Sequence, residues 1–238
     1  MNLRLATTRA WHRLRRPLTR NRWLFMWLSR RRGSRANLLV RPDSVLLIEA
    51  PMRSGNTFAV ASFWLGNGRE GHVARHVHTP AHVLEAVRLR VPALVLVREP
   101  RAVAISHVLR RPALTVRDSL IDYVDFFTTI EKVRDQIVAI EFETLISDFP
   151  GVIATLNAKY GQTFASRVMD DEFEQDVTTL VEEMNRAESA SDGKIDELRV
   201  ARPSAARQTL RKGPEMELER PRAQAALAKA TAVYERWK

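Results

Sequence analysis

Cysteine is absent from all 238 residues, which excludes disulfides and thiolate metal sites. Acidic residues are absent from 1–41, a stretch that holds twelve arginines. The rest of the chain carries 26 basic against 28 acidic side chains. The formal net charge of +10 is therefore the property of one segment, and it does not lead us to expect a nucleic-acid partner. Long apolar runs are missing from that segment too: its longest, Trp23–Leu28, is far short of the roughly twenty residues a bilayer span needs. A secretory signal does not fit, because arginines follow this short run directly. There is no internal repeat. A Walker A loop is also missing, since no Gly-x-x-x-x-Gly-Lys-Ser/Thr occurs.

What is present divides the chain into a basic Arg/Trp-rich segment, 1–41, and one α/β domain, 42–238. Trp11, Trp23 and Trp27 interrupt the arginines of the first part. Such a segment suits a helix at an anionic membrane surface. It suits equally an organelle-targeting peptide, a basic helix docked on the domain, or a loose tail. The expected location is cytoplasmic, with peripheral membrane contact as one reading of 1–41.

In the domain, Val45–Ala50 is a continuous apolar run broken by a single Glu, and Pro92–Val97 is a second such run; both read as strands buried in a parallel sheet. Ile137–Phe142 reads as a third strand and His72–His78 as a short one. Helical spacing covers Thr57–Leu65, Pro80–Arg90, Arg101–Leu109, Ser119–Arg134 and Pro150–Tyr160. Strands alternating with helices predict a three-layer α/β/α domain around a mainly parallel sheet. Asp170–Asn185 is an acidic helix, either a solvated face or a wall of a substrate pocket. Ala187–Lys194 reads as a mobile linker, 200–214 as a basic stretch poor in strand, and Arg222–Trp237 as a closing helix.

Two strand-to-helix turns carry the chemistry. In the first, Pro51-Met52-Arg53-Ser54-Gly55-Asn56-Thr57-Phe58, a helix N-terminus offers free backbone N–H groups to an anion. Ser54 and Thr57 add hydroxyls, Gly55 permits close approach, and Arg53 adds a forked, permanent charge. In the second, Arg98-Glu99-Pro100-Arg101, the strand-ending Arg98 is followed by Ser106 two helical turns on. Two phosphate-suited turns in one domain imply a ligand with anionic groups at both ends.

These segments resemble the Pro-Lys-Ser-Gly-Thr-Thr-Trp loop and the Arg-x-Pro-(five residues)-Ser segment of sulfotransferases that use 3′-phosphoadenosine 5′-phosphosulfate (PAPS). Ile140-Glu141-Phe142-Glu143-Thr144-Leu145 resembles that family's strand ending Tyr-Glu-Asp-Leu, and Arg211-Lys212-Gly213 its late Arg-Lys-Gly loop. The four motifs stand in family order. The resemblance implies a P-loop-NTPase-like sulfotransferase fold and transfer of a sulfuryl group from PAPS to an acceptor hydroxyl on a carbohydrate, lipid or small alcohol. The product would be adenosine 3′,5′-bisphosphate (PAP). It implies that Arg53, Ser54, Gly55, Asn56 and Thr57 hold the 5′-phosphosulfate. Phe58 would stack on adenine and Phe142 line its pocket. Arg98 and Ser106 would bind the 3′-phosphate, and Arg211, Lys212 and Gly213 would close over it.

The chain departs from the family in having Arg53 for the catalytic lysine and Asn56 for a threonine. A guanidinium gives up no proton near neutrality, so Arg53 would act through charge. In the stretch His76-Val77-His78-Thr79-Pro80, His78 aligns with the family's base, with His76 its neighbour. Both histidines on one strand face would also suit a metal, but no carboxylate sits at ligand spacing, and no metal is expected. Two other classes remain open: a P-loop nucleotide kinase or NTPase, which the missing lysine opposes, and a non-catalytic adaptor at a membrane surface.

Overall fold

The computed structural model describes residues 3–33, 36–188 and 209–238. Its centre is a sheet of four parallel strands, β1 (Ser44–Glu49), β2 (His72–Arg75), β3 (Ala93–Val97) and β4 (Val138–Glu141), in the order β2-β1-β3-β4. Successive side chains of a strand face opposite ways, and here both faces are covered. Leu46, Ile48, Leu94 and Leu96 pack with α4 (Asn56–Asn67), α9 (Phe149–Tyr160) and α10 (Asp171–Glu188). Leu47, Val95 and Val97 pack with α5 (Pro80–Leu89), α6 (Pro100–Arg110), α7 (Val116–Ile130) and the closing helix Pro221–Trp237. This is the expected three-layer α/β/α arrangement, and it explains why the strands read as unbroken apolar runs.

Local chemistry moves several element ends. β2 stops at Arg75 because His76 (φ 59°) and His78 (φ 56°) adopt left-handed backbone, which cannot continue a strand. α7 starts at Val116 rather than Ser119: Thr115 Oγ1 accepts from the Asp118 N–H at 3.0 Å, and the Asp118 carboxylate accepts from the Thr115 N–H, a capping box. β4 ends at Glu141, and Phe142 opens the short helix α8 (Phe142–Ser147). The greater part of Ala187–Lys194, and 200–208 of the basic stretch, lie outside the described residues.

Residues 3–33 form α1 (Leu3–Leu14), α2 (Arg16–Arg20) and α3 (Arg22–Arg32). The core reaches back beyond Ser44 to Met26, Leu39 and Val40, all buried. The arm is tied down by charge: Arg13 and Arg16 pair with Asp118, Arg16 with Asp122, Arg20 with Asp125, and Arg22 and Arg30 with Glu85, while His12 Nε2 lies 2.6 Å from the Asp122 carboxylate. No helix among the described residues is long and apolar enough to cross a membrane.

Candidate active site

β1 and β3 are hydrogen-bonded neighbours, so the turns that follow them lie side by side at the C-terminal edge of the sheet. In the first turn Gly55 is the N-cap of α4 with φ 99°. A Cβ there would sit 2.8 Å from the Phe142 ring, so both conformation and space require glycine. Arg53 is also left-handed (φ 76°), a strained state for a residue with a side chain. Its Nε donates to Ser106 Oγ at 3.0 Å. Arg98 Nη1 donates to the Arg53 carbonyl oxygen at 2.9 Å, and its guanidinium lies 3.9 Å over the Phe142 ring. Arg53, Gly55, Arg98, Ser106 and Phe142, taken from four elements, thus meet at one place.

The loop is suited to an anion. Asn56, Thr57 and Phe58 are the first residues of α4, where backbone N–H groups have no partner within the helix. The Ser54 hydroxyl is buried without a hydrogen-bond partner, an uncommon and costly state that a phosphate or sulfate oxygen would relieve. The Asn56 side chain behaves differently. Its Nδ2 donates to Glu49 Oε1 at 3.4 Å and its buried Oδ1 is only an acceptor, so any anion contact from Asn56 falls to the backbone N–H. Thr57 Oγ1 stands 3.5 Å from His76 Nε2. Phe58 is partly buried against the α4–α9–α10 core.

His78 lies across the first turn. Its Nδ1 is 3.0 Å from the Ala50 carbonyl oxygen, which can only accept. The proton therefore sits on Nδ1 and leaves a lone pair on Nε2. Burial pulls the imidazole pKa below its ordinary value, against the nearby charge of Glu49, and keeps the ring neutral. The His76 ring stacks 5.9 Å away. The remaining histidines are spread apart: His72 on Ser44, His82 on Glu49, His107 on Ser119 and His12 on Asp122.

Arg211, Lys212 and Gly213 are exposed and open a short helix, Lys212–Leu218, instead of forming a loop. Arg211 Nε donates to Glu215, and no hydrogen bond or ion pair among the described residues joins these three to Arg53, Arg98 or Ser106. The helix is anchored instead at the start of α7, where Glu217 accepts from the Val116 N–H.

Sequence reasoning overlooked Glu49. This fully buried carboxylate accepts from the Ala50 N–H (3.2 Å), the His78 N–H (3.0 Å) and Asn56 Nδ2 on Oε1, and from His82 Nδ1 (2.8 Å) on Oε2. It ties the first turn to the His78 segment. The one sign of it in the sequence is a lone charge in an apolar strand. Tyr123, whose hydroxyl donates to the Arg98 carbonyl oxygen at 3.0 Å, was equally hidden.

No family model and no curated protein matches the chain. Among solved structures it is similar to mouse sulfotransferase SULT7A1 complexed with PAP, with a TM-score of 0.48 and 16% identity over 87% of this chain and 89% of that one. It is also similar to retinol dehydratase in complex with androsterone and inactive cofactor PAP, with a TM-score of 0.40 and 13% identity over 77% and 82%. These likenesses are weak, and the chemistry rests on the residues above.

Proposed function

We propose that this chain is a PAPS-dependent sulfotransferase that passes a sulfuryl group to an acceptor hydroxyl and releases PAP. The observation that carries the reading is the junction of the two turns through Arg98 Nη1 on the Arg53 carbonyl and Arg53 Nε on Ser106 Oγ. One ligand with anionic groups at both ends would span it. The α4 N–H groups, the Ser54 hydroxyl and Arg53 would hold the 5′-phosphosulfate, and Arg98 with Ser106 the 3′-phosphate. Arg211, Lys212 and Gly213 would reach that phosphate only if their helix moved.

PAPS supplies an activated sulfuryl group, and the protein supplies position and charge. His78 Nε2 takes the proton of the acceptor hydroxyl as the acceptor oxygen bonds to sulfur. The bond from sulfur to the bridging phosphate oxygen breaks, and its electron pair stays on PAP. Arg53 stays protonated throughout and offsets the charge growing on that oxygen. Adenine would lie along Phe58 and Phe142.

The test is a thermal-shift titration with PAP, ADP plus Mg²⁺, and adenosine 5′-phosphosulfate, which lacks the 3′-phosphate. PAP at 100 times its Kd stabilises by about 2.7 kcal/mol. That raises Tm by about 5–11 °C in a domain of this size. A shift with PAP well above the other two supports the reading, and transfer from labelled PAPS to an acceptor panel completes it. A shift with ADP and Mg²⁺ but none with PAP refutes it in favour of a kinase. PAP binding with no transfer to any acceptor favours the adaptor.

A further inference from the structure

The arm contains a feature that sulfuryl transfer leaves unused. The segment 1–41 holds twelve arginines, and among the described residues they form ion pairs with Asp43, Glu85, Asp118, Asp122 and Asp125. The segment has no acidic residue of its own, so its charge balance rests on these carboxylates from outside it. Large apolar side chains are exposed in the same segment: Trp11 (59%), Leu14 (70%), Trp23 (68%) and Trp27 (41%). Only four other large hydrophobics among the described residues are as open.

α3 keeps its two faces apart. Met26 is buried, and Arg22 and Arg30 reach Glu85 of α5. At four-residue intervals on the other face stand Trp23, Trp27 and Arg31. The two indoles are stacked 6.3 Å apart, and the Arg31 guanidinium lies 4.1 Å over Trp27. Between α3 and α5 is a cleft of about 540 Å³, bordered by both tryptophans and by Arg22, Arg30, Arg31 and Arg88. Its one acid, Glu85, receives hydrogen bonds from three of these arginines. Burial alone would raise the Glu85 pKa, but the bonds from Arg88 and Arg22 outweigh it and hold the group at about 2. Four guanidiniums against one permanent carboxylate leave the cleft strongly cationic at neutral pH.

We propose that the outer face of α3 is a docking surface for an anionic membrane. Trp23 and Trp27 would sit at the boundary between headgroups and acyl chains, and the arginine-lined cleft would receive the phosphate of an anionic lipid. Indole rings suit that boundary, having an apolar body and a polar edge. Arginines beside them add attraction to the negative surface that fades over a Debye length. Single-stranded nucleic acid also likes arginine and aromatic faces. The exposed aliphatic Leu14 and the near-neutral remainder of the chain favour lipid. The inference stands apart from the reaction, and either can fail alone.

The test uses the full chain in flotation assays with vesicles of phosphatidylcholine alone and of phosphatidylcholine with phosphatidylserine. Brominated acyl chains report insertion through quenching of tryptophan fluorescence. The expected result is binding to the anionic vesicles only, with quenching. A Trp23→Ser/Trp27→Ser variant should bind at least about tenfold more weakly, because insertion scales with apolar area. Both positions are exposed, so the variant should keep the wild-type Tm. A second variant, Arg31→Glu, should weaken binding without touching the packed face of α3. No binding to anionic vesicles at low salt overturns the proposal, as does binding without quenching or equal binding by the tryptophan variant. Preferential binding of single-stranded RNA that displaces vesicles overturns it in favour of a nucleic-acid surface.

Discussion

Replacing Glu49 by glutamine removes one charge and almost no volume, yet it should be costly. His82 Nε2 accepts from the Val40 N–H at 2.7 Å, so the His82 proton is fixed on Nδ1 and donated to Glu49 Oε2. Oε1 accepts from Ala50 N, His78 N and Asn56 Nδ2. Every neighbour of the carboxylate is a donor, whereas an amide offers only one oxygen. With its NH₂ towards His82, the Nδ1–H is left unpaired; turned the other way, three donors lose their acceptor. His82 cannot relieve the conflict by moving its proton without losing Val40. A buried donor left unpaired costs about 1–3 kcal/mol, so we expect Glu49→Gln to lose about 2 kcal/mol. For a chain of this length that lowers Tm by about 4–8 °C. Calorimetry and urea melts would measure it. A cycle combining Glu49→Gln with His82→Ala should show coupling of at least about 0.5 kcal/mol, since the two share one hydrogen bond. A Glu49→Gln protein melting within about 1 °C of wild type would refute the tautomer argument, because the conflict predicts several degrees.

Three further outcomes follow from the site. Gly55→Ala should abolish the PAP-induced thermal shift and cost about 1–3 kcal/mol, since φ 99° and a 2.8 Å approach to Phe142 leave a methyl group no place; an undiminished PAP shift would contradict it. His78→Ala should keep the PAP shift and reduce turnover on the order of 10²–10⁴-fold, with steady-state kinetics as the check; loss through His76→Ala instead would reassign the base. Stability should fall as pH drops below about 6.5, where histidines of the unfolded chain take up protons. His78 resists them through burial, as does His107, held down to about 3, so the unfolded state binds more protons and acid favours it. A second loss should come below about pH 4, the ordinary carboxylate range. There the unfolded chain's carboxylates take up protons, whereas folded Asp118 and Glu85, each held at about 2 against the effect of burial by bonded arginines (Arg13 on Asp118, Arg88 and Arg22 on Glu85), resist until about pH 2, so acid favours unfolding and the ties of the arm are lost. A Tm unchanged between pH 8 and 5 would contradict the first step.

The layer architecture was legible in advance because burial on two faces leaves a local mark. Val45–Ala50, apolar but for Glu49, and Pro92–Val97, apolar throughout, became β1 and β3. The turns after them were legible for the same reason: a strand end, a short polar segment and a helix start are sequence neighbours. The end of β2 was less so, since nothing local announces that His76 and His78 turn left-handed; contacts with Thr57, Ala50 and Glu49 decide it. Arg211–Gly213 is a loop only by its resemblance to the family's late Arg-Lys-Gly segment, and here it opens a helix whose Glu217 is claimed by α7.

The sequence by itself determined which segments are strands, that two anion-suited turns follow two of them, and that charge is concentrated in 1–41. These are properties of neighbouring residues, and periodicity and composition carry them. Only the tertiary structure decided that Arg53 meets Ser106, that Arg98 stacks on Phe142 beneath Gly55, and that Glu49 and His82 join two turns through one fixed proton. The same holds for the arm, whose arginines are partly spent on Glu85, Asp118 and Asp122 while Trp23 and Trp27 stay outside. Each of these pairs residues that lie tens of positions apart, and strand order, together with the packing of helices on the sheet, sets which of them touch.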